Sequence, residues 1–544
     1  MTTAQKPDWK AVVARKRAER DALIPAEYDI PASKLPPVDG KSVVSFPATC
    51  GLLTPAEVAI TEIDDVDVLL AKLAKREYTA AEVLEAYIKR ACIAHRLVNP
   101  ITEIHFDDAR RWARELDDEL QATGKTRGPL HGLPVSLKDQ FRIKGSDATI
   151  AYVSYVGRQA DHDAVCTALL KEAGAVPFVK TNLPQTIMFA ETRNELFGTT
   201  LNPHNRLLHT GGSSGGEGAL VAIKGSPLGV GTDVGGSVRI PAGMCGLFGL
   251  RPSSHRFPYE GAVNSMEGQE TIPSVLGPLT RTLSGLTTFT KAILAGRPWL
   301  YDPLVPEMPW SQSRYDAAKA KKGLKIGLMS TDLHVHPFPP YERALQVARD
   351  ALTKAGHDVV PFVPYEPGQG LAIMGDAFCA DGGRDVLEAI SGCDEPLGPQ
   401  VTGVGKPEKS AYELWQINKR KTVYRKRALD HWRDAGVDFV LCPTSVYPAM
   451  KHDDECWILY TGLWNLLDYT AISLPVSSVD AKLDPKRSSP PHDGWYSDDD
   501  RRWNDKYDPD LVDGAPIGLQ VVAGRYREEE ALGFAETVWH AIRG

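Results

Sequence analysis

The chain has 544 residues, 42% hydrophobic and 24% charged, which is enough to bury a large core. A formal net charge of −8 argues against a nucleic-acid-binding or anionic-membrane surface and points to a small neutral partner. No run approaches the ~20 apolar residues of a membrane span, and the N-terminus lacks the apolar core of a secretory signal, so a cytoplasmic protein without a membrane anchor is expected. In chain order, residues 8–22 and 66–75 read as amphipathic helices. Residues 79–96 read as a longer helix, opened by Thr79 with Glu82 three residues on, a capping-box pattern; 107–122 is another. Residues 1–53, with Pro25, Pro31, Pro36, Pro37 and Pro47, read as a helix and an extended arm that wraps the domain or makes a subunit contact, for example in a homodimer. Short apolar runs then alternate with helices: strands at 133–137, 176–180, 325–329 and 358–363, helices at 164–173 and 342–355. Two late strands, 471–477 and 516–523, flank a polar loop insertion at 479–515 that carries Trp495, Tyr496, Trp503 and Tyr507 as candidate anchors. Residues 457–469 read either as an apolar pocket wall or as a core helix. The alternation marks an α/β fold, and the absence of a low-complexity break favours one large domain over 54–544.

Eight cysteines (Cys50, Cys92, Cys166, Cys245, Cys379, Cys393, Cys442 and Cys456) are scattered without a C-x-x-C and read as reduced, buried thiols. Cys245 reads as a small buried hydrophobe rather than a nucleophile. The string His334-Val335-His336 has no third ligand at helical or hairpin spacing and reads as a solvated loop. Neither a metal nor a cofactor is expected.

Two strings carry the chemistry: GLPVSLKDQF at 132–141 and GGSSGGEGALVAIKGSPLGVGTDVGGSVRIP at 211–241. Glycine raises the entropy cost of folding and is justified where the backbone needs φ > 0 or a very close approach. A flexible linker is excluded by the interleaved Ala219, Leu220, Val221, Leu228, Val230 and Ile240, which would be buried. The Walker string is absent, so the glycines do not cradle a nucleotide phosphate. G-x-S-x-G does occur around Ser213 and Ser214, but residues 206–210 offer too little apolar surface for the strand that a nucleophile elbow needs. Lys138 ends an apolar strand, where desolvation would keep its amine neutral and able to take a proton. In Val234-Gly235-Gly236-Ser237, successive N–H groups can converge on one concavity.

On these strings, and on KTNLPQ (180–185), LNP (201–203) and GAPIGLQVVAG (514–524), the chain resembles the amidase signature family, with wording closest to the fungal acetamidase and general amidase branch. The resemblance runs from about residue 54 onward. It implies a central twisted mixed β-sheet covered by helices on both faces. It also implies a Ser–cisSer–Lys triad, with Ser237 as nucleophile, Ser213 as the bridging cis-serine and Lys138 as base. By the same resemblance Ile187 contacts substrate, and Val234, Gly235, Gly236 and Ser237 form the oxyanion hole; Asp233 and Arg239, which flank the turn, are expected to clamp it by charge-assisted hydrogen bonds. The implied activity is hydrolysis of a small-molecule amide through an acyl-Ser237 intermediate. Alternatives on the same triad are a glutamine-hydrolysing amidotransferase subunit and a carbamate or ester hydrolase; a non-catalytic binding protein is disfavoured by the presence of all three residues.

Overall fold

Apolar runs bounded by glycine and proline become the strands of one mixed sheet in the computed structural model, which describes residues 6–399, 401–491 and 494–544. In chain order the strands are β1 (Ile101–Ile104), β2 (Pro134–Lys138), β3 (Val176–Thr181), β4 (Leu228–Asp233), β5 (Phe248–Arg251) and β6 (Val275–Thr280), then β7 (Lys325–Leu328), β8 (Asp358–Pro361), β9 (Phe439–Pro443), β10 (Thr470–Ser478) and β11 (Pro516–Ala523). Their spatial order is β1-β3-β2-β4-β6-β5-β10-β11-β9-β7-β8. The pairs β2/β3, β2/β4, β7/β9 and β7/β8 are parallel and the others antiparallel. Every residue of β2, β3, β4, β6 and β11 is buried, which requires cover on both faces of the sheet.

The six strands and the helices expected from apolar periodicity are present, within a few residues at each end. The expected helices are α1 (Trp9–Asp21), α2 (Val66–Ala74), α3 (Ala80–Val98), α4 (Phe106–Thr123), α5 (Val165–Glu172) and α8 (Pro339–Lys354); the glycine-rich string adds two that were not expected, α6 (Gly215–Ala222) and α7 (Arg239–Met244). Thr79 caps α3 through the reciprocal bonds of a capping box with Glu82. Two later helices are α9 (Leu459–Leu467) and α10 (Asp498–Asp505). All nine residues of α9 are buried, so 457–469 is mainly core.

Two expectations need correction and a third is filled in. The 479–515 segment, expected as a loop with aromatic anchors, contains α10 and is docked through two of those anchors, Trp503 and Tyr507, each 2% exposed. Trp503 stacks on Tyr447, and the Tyr507 hydroxyl donates to the Asp484 carbonyl. His336 is not in a solvated loop. It is buried under that segment, with Nδ1 2.7 Å from Asp500 Oδ2 and its ring stacked on Tyr496. Among the described residues no group of His, Cys, Asp and Glu is arranged to hold a metal. All eight thiols are free, but Cys50, Cys379 and Cys456 are only partly buried, because they sit in or beside loops rather than in the sheet.

Candidate active site

β2 ends at Lys138 and β4 ends at Asp233, and their parallel pairing brings the two ends together. Lys138 is fully buried; its Nζ lies 2.7 Å from Ser213 Oγ and 2.8 Å from Thr232 Oγ1. Burial pushes the lysine down to about 7, against the pull of Asp233 and Glu217. The peptide bond between Gly212 and Ser213 is cis. Gly212 leaves room for the neighbouring loop: a Cβ there would stand 2.6 Å from the Phe189 carbonyl oxygen. Ser214 is oriented differently from Ser213. Its hydroxyl accepts from the Thr232 N–H and donates to the Thr232 carbonyl, both at 3.2 Å, so it serves the backbone. The Ser214 N–H donates to the Ser237 carbonyl at 3.1 Å, tying the two serine segments together. Of the three predicted catalytic residues Ser237 is the most accessible, at 9% exposed.

After β4 the chain turns through Val234-Gly235-Gly236-Ser237 into α7. Asp233 anchors the turn: its carboxylate accepts from Gly236 N–H (2.8 Å), Val238 N–H (3.2 Å), Arg239 Nε and Nη2 (both 3.1 Å) and Asn465 Nδ2 (2.8 Å). Although its burial works the other way, Arg239 holds Asp233 down at about 2. Arg239 continues to Gln520 Oε1, the Thr461 carbonyl and Asn465 Oδ1. Thr461 Oγ1 donates to the Gly235 carbonyl at 2.7 Å. The expected clamp is therefore present and reaches α9 and β11. One of the four expected oxyanion donors is otherwise engaged, since the Gly236 N–H faces Asp233. The N–H groups of Val234, Gly235 and Ser237 have no protein partner among the described residues. Gly236 sits at φ +130°, and a Cβ there would stand 2.2 Å from Thr461 Oγ1, so no other residue fits.

Ile187 lies in an apolar cluster with Tyr152, Leu183, Val386 and Ala389. Thr186 and Ile187 both have positive φ, a costly conformation for β-branched residues, on the loop whose next turn packs against Gly212. The sequence reading missed Thr232, Gln140, Glu217, Thr461, Asn465 and Gln520. Glu217 had a signal, as an acid set between glycines and followed by an apolar run. It is fully buried and pushed up to about 8 by burial, while Ser136 and Thr181 hydroxyls donate to its two oxygens. Thr461 and Asn465 also had one, as polar residues four apart on an otherwise apolar helix.

An eleven-stranded mixed α/β sheet with a buried lysine and two serine segments meeting at its strand ends defines a class, the amidase signature hydrolases. The chain belongs to that family: the family model described as Amidase matches residues 82–532. It is 42% identical to an acetamidase of Emericella nidulans, over 97% of each chain. With an acetamidase of Aspergillus oryzae it shares 38% identity, over 97% of this chain and 98% of the relative. Among solved structures it is similar to a fatty acid amide hydrolase, at 33% identity and a TM-score of 0.93, covering 98% of this chain and 95% of the other.

Proposed function

We propose that the protein hydrolyses small carboxylic amides, R–CO–NH₂, to carboxylate and ammonia through an acyl-Ser237 intermediate, with Ser213 and Lys138 carrying the proton. The observation that carries this reading is the buried Lys138 amine, 2.7 Å from Ser213 Oγ and pushed down to about 7, which makes the neutral form accessible near neutral pH. A neutral amine can take the Ser213 proton while Ser213 takes the Ser237 proton and Ser237 Oγ bonds to the carbonyl carbon. The oxyanion that forms is met by N–H groups of the Val234–Ser237 turn; one such donor is worth roughly 3 kcal/mol. On collapse the C–N bond breaks, Ser213 gives its proton to the leaving nitrogen, and the Lys138 ammonium reprotonates Ser213. Water repeats the cycle on the acyl-serine and releases the acid. Ile187 and its apolar neighbours are proposed to receive the acyl group.

Two relatives bear the name acetamidase, which supports a short acyl group, whereas the similar solved structure bears the name fatty acid amide hydrolase. Ammonia release across primary amides graded from acetamide to long-chain amides separates the two. Ser237→Ala is expected to abolish turnover with an unchanged circular dichroism spectrum. Mass spectrometry of wild type quenched on a slow substrate should find the acyl mass on the Ser237 peptide; finding it on Ser213 or Ser214 would overturn the assignment. kcat/KM should rise with pH along one ionisation near 7, and Lys138→Ala should erase that limb.

A further inference from the structure

Lys138 touches two hydroxyls, and only Ser213 has a place in the proton path. The other, Thr232 Oγ1, lies 2.8 Å from Nζ and 2.6 Å from Gln140 Oε1. Its direction is fixed by groups further out. Gln140 Nε2 lies 3.1 Å from the Val263 carbonyl, which can only accept, so the amide nitrogen faces Val263 and the amide oxygen faces Thr232. Nε2 also donates to Tyr259 Oη at 2.9 Å, and Tyr259 donates in turn to Ser274 Oγ at 2.8 Å. The Val263 carbonyl and the Gln140 amide thus permit the Thr232 link only one direction. Thr232 must donate to Gln140 and has lone pairs alone to offer Lys138.

We propose that Gln140, braced by Val263 and Tyr259, is a positioning residue for the base: it holds the Thr232 hydroxyl as an acceptor toward Nζ, which engages one N–H of the neutral amine and leaves the lone pair for the Ser213 proton. The inference rests on Lys138 being the base in the reading above. A neutral amine has two N–H groups and one lone pair. A Thr232 hydroxyl free to rotate would donate into that same lone pair, and a hydroxyl that takes no part in the reaction would cap the base. Gln140 and Lys138 are fully buried and Thr232 is 2% exposed, so each group left unsatisfied there is costly and the pattern is held firmly. The titratable groups that bear on Nζ are Asp233 at the end of β4 and Glu217 on α6, which burial keeps largely protonated near pH 7. Lys180 on β3 is engaged with Asp139 and the Asp147 carbonyl. The variants below leave all of them in place.

The test compares wild type with Gln140→Leu, Thr232→Val, Thr232→Ser and Lys138→Ala. Two pH profiles are measured: the rate at which a fluorophosphonate labels Ser237, and kcat/KM on a primary amide that wild type turns over. Gln140→Leu is expected to lower the plateau of both by about 10- to 100-fold, part of the 10²–10⁴ that a positioned base supplies, with KM little changed. Its limb should also move to lower pH, because a hydroxyl that donates to the amine stabilises the neutral form. Thr232→Val removes an acceptor that favours the ammonium and should move the limb the same way; Thr232→Ser should restore its position and most of the rate. A folded Gln140→Leu protein with a plateau within twofold of wild type and an unmoved limb would overturn the proposal. Should that variant fail to fold, the same result from Thr232→Val overturns it. Loss of the limb in Lys138→Ala beside an unmoved Gln140→Leu limb sinks this inference alone, whereas survival of the limb in Lys138→Ala removes the base assignment and this inference with it.

Discussion

Ser213 and Ser214 are neighbours whose hydroxyls face different groups, and their substitutions should separate catalysis from stability. Ser213 Oγ faces Lys138 Nζ, whereas Ser214 Oγ joins the N–H and carbonyl of Thr232. Ser213→Ala is expected to slow acylation by about 10²–10⁴ with little loss of stability, the range for a lost acid–base participant. Ser214→Ala should instead cost about 1–3 kcal/mol in urea denaturation, because it leaves buried backbone groups unpaired. Rapid-quench kinetics showing Ser214→Ala to be the slower variant would move the bridging role one residue along. Glu217 offers a test of a different kind. Its folded pKa of about 8 lies above the ordinary 4.5, so the stability it confers is complete below pH 4.5 and is lost as pH rises through about 8. Glu217→Gln keeps the shape and removes the titration. The melting temperature of wild type relative to this variant should therefore fall steadily between pH 5 and 8, and a flat difference would show that Glu217 ionises normally.

At the scale of elements, the site depends on a helix that the apolar pattern described only as core or pocket wall. α9 is both buried and functional in position: Thr461 and Asn465, one turn apart, reach back to Gly235 and Asp233. Arg239→Met should test how far the turn relies on this arrangement, since it leaves Asp233 buried without the guanidinium it is paired with. A loss of about 3–5 kcal/mol is expected, with fluorophosphonate labelling of Ser237 reduced even where the variant remains folded. β4 shows why part of the sheet was illegible in sequence. Its residues LGVGTD carry glycine at alternate positions and give no strand pattern, yet a Cβ at Gly229 would stand 2.1 Å from Glu217 Oε2 and one at Gly231 2.6 Å from Ser214 Oγ. The glycines are there so that α6 and the serine segment can lie directly on the strand. Periodicity measures apolar patterning and is blind to that requirement. Glycine among residues that would be buried marked 211–241 as a site, but the roles of Ser213, Ser237 and Lys138 came from the resemblance of the two strings to the amidase signature family. Thr232, Gln140 and Gln520 were not legible, because a single polar residue in a strand acquires its partners only from the tertiary fold.

Across the whole molecule, the first fifty residues left two readings open, an arm on the chain's own domain or a contact for a second subunit. The structure seats α1 on its own domain. Arg17 donates to the Leu196 and Glu195 carbonyls and Arg20 to that of Ile101, while Lys16 is buried between Glu103 at 2.7 Å and Asp147 at 2.9 Å. Proline spacing announced an extended segment, but nothing local to 1–53 could show that a lysine in its helix would meet two acids about ninety and one hundred and thirty residues away. That cluster leads toward the site, for the Asp147 carbonyl accepts from Lys180, which lies beside Asp139, the residue after Lys138. Lys16→Met should therefore destabilise the whole domain and not merely release the arm. Burial already pushes Glu103 up to about 7, against the pull of Lys16 and Lys180, so with Lys16 gone Glu103 takes a proton more readily still. At pH 8 its charge, or the work of neutralising it, falls on the folded state, and a loss of about 3–5 kcal/mol is expected. At pH 6 Glu103 is largely neutral in either protein, so the loss should be clearly smaller, and Lys16→Met with Glu103→Gln should recover part of the pH 8 deficit. Urea denaturation at the two pH values measures all three differences. A loss below about 1 kcal/mol at both, the size of an exposed ion pair, would mean that α1 rests loosely on the surface and would return the arm to the role of a subunit contact.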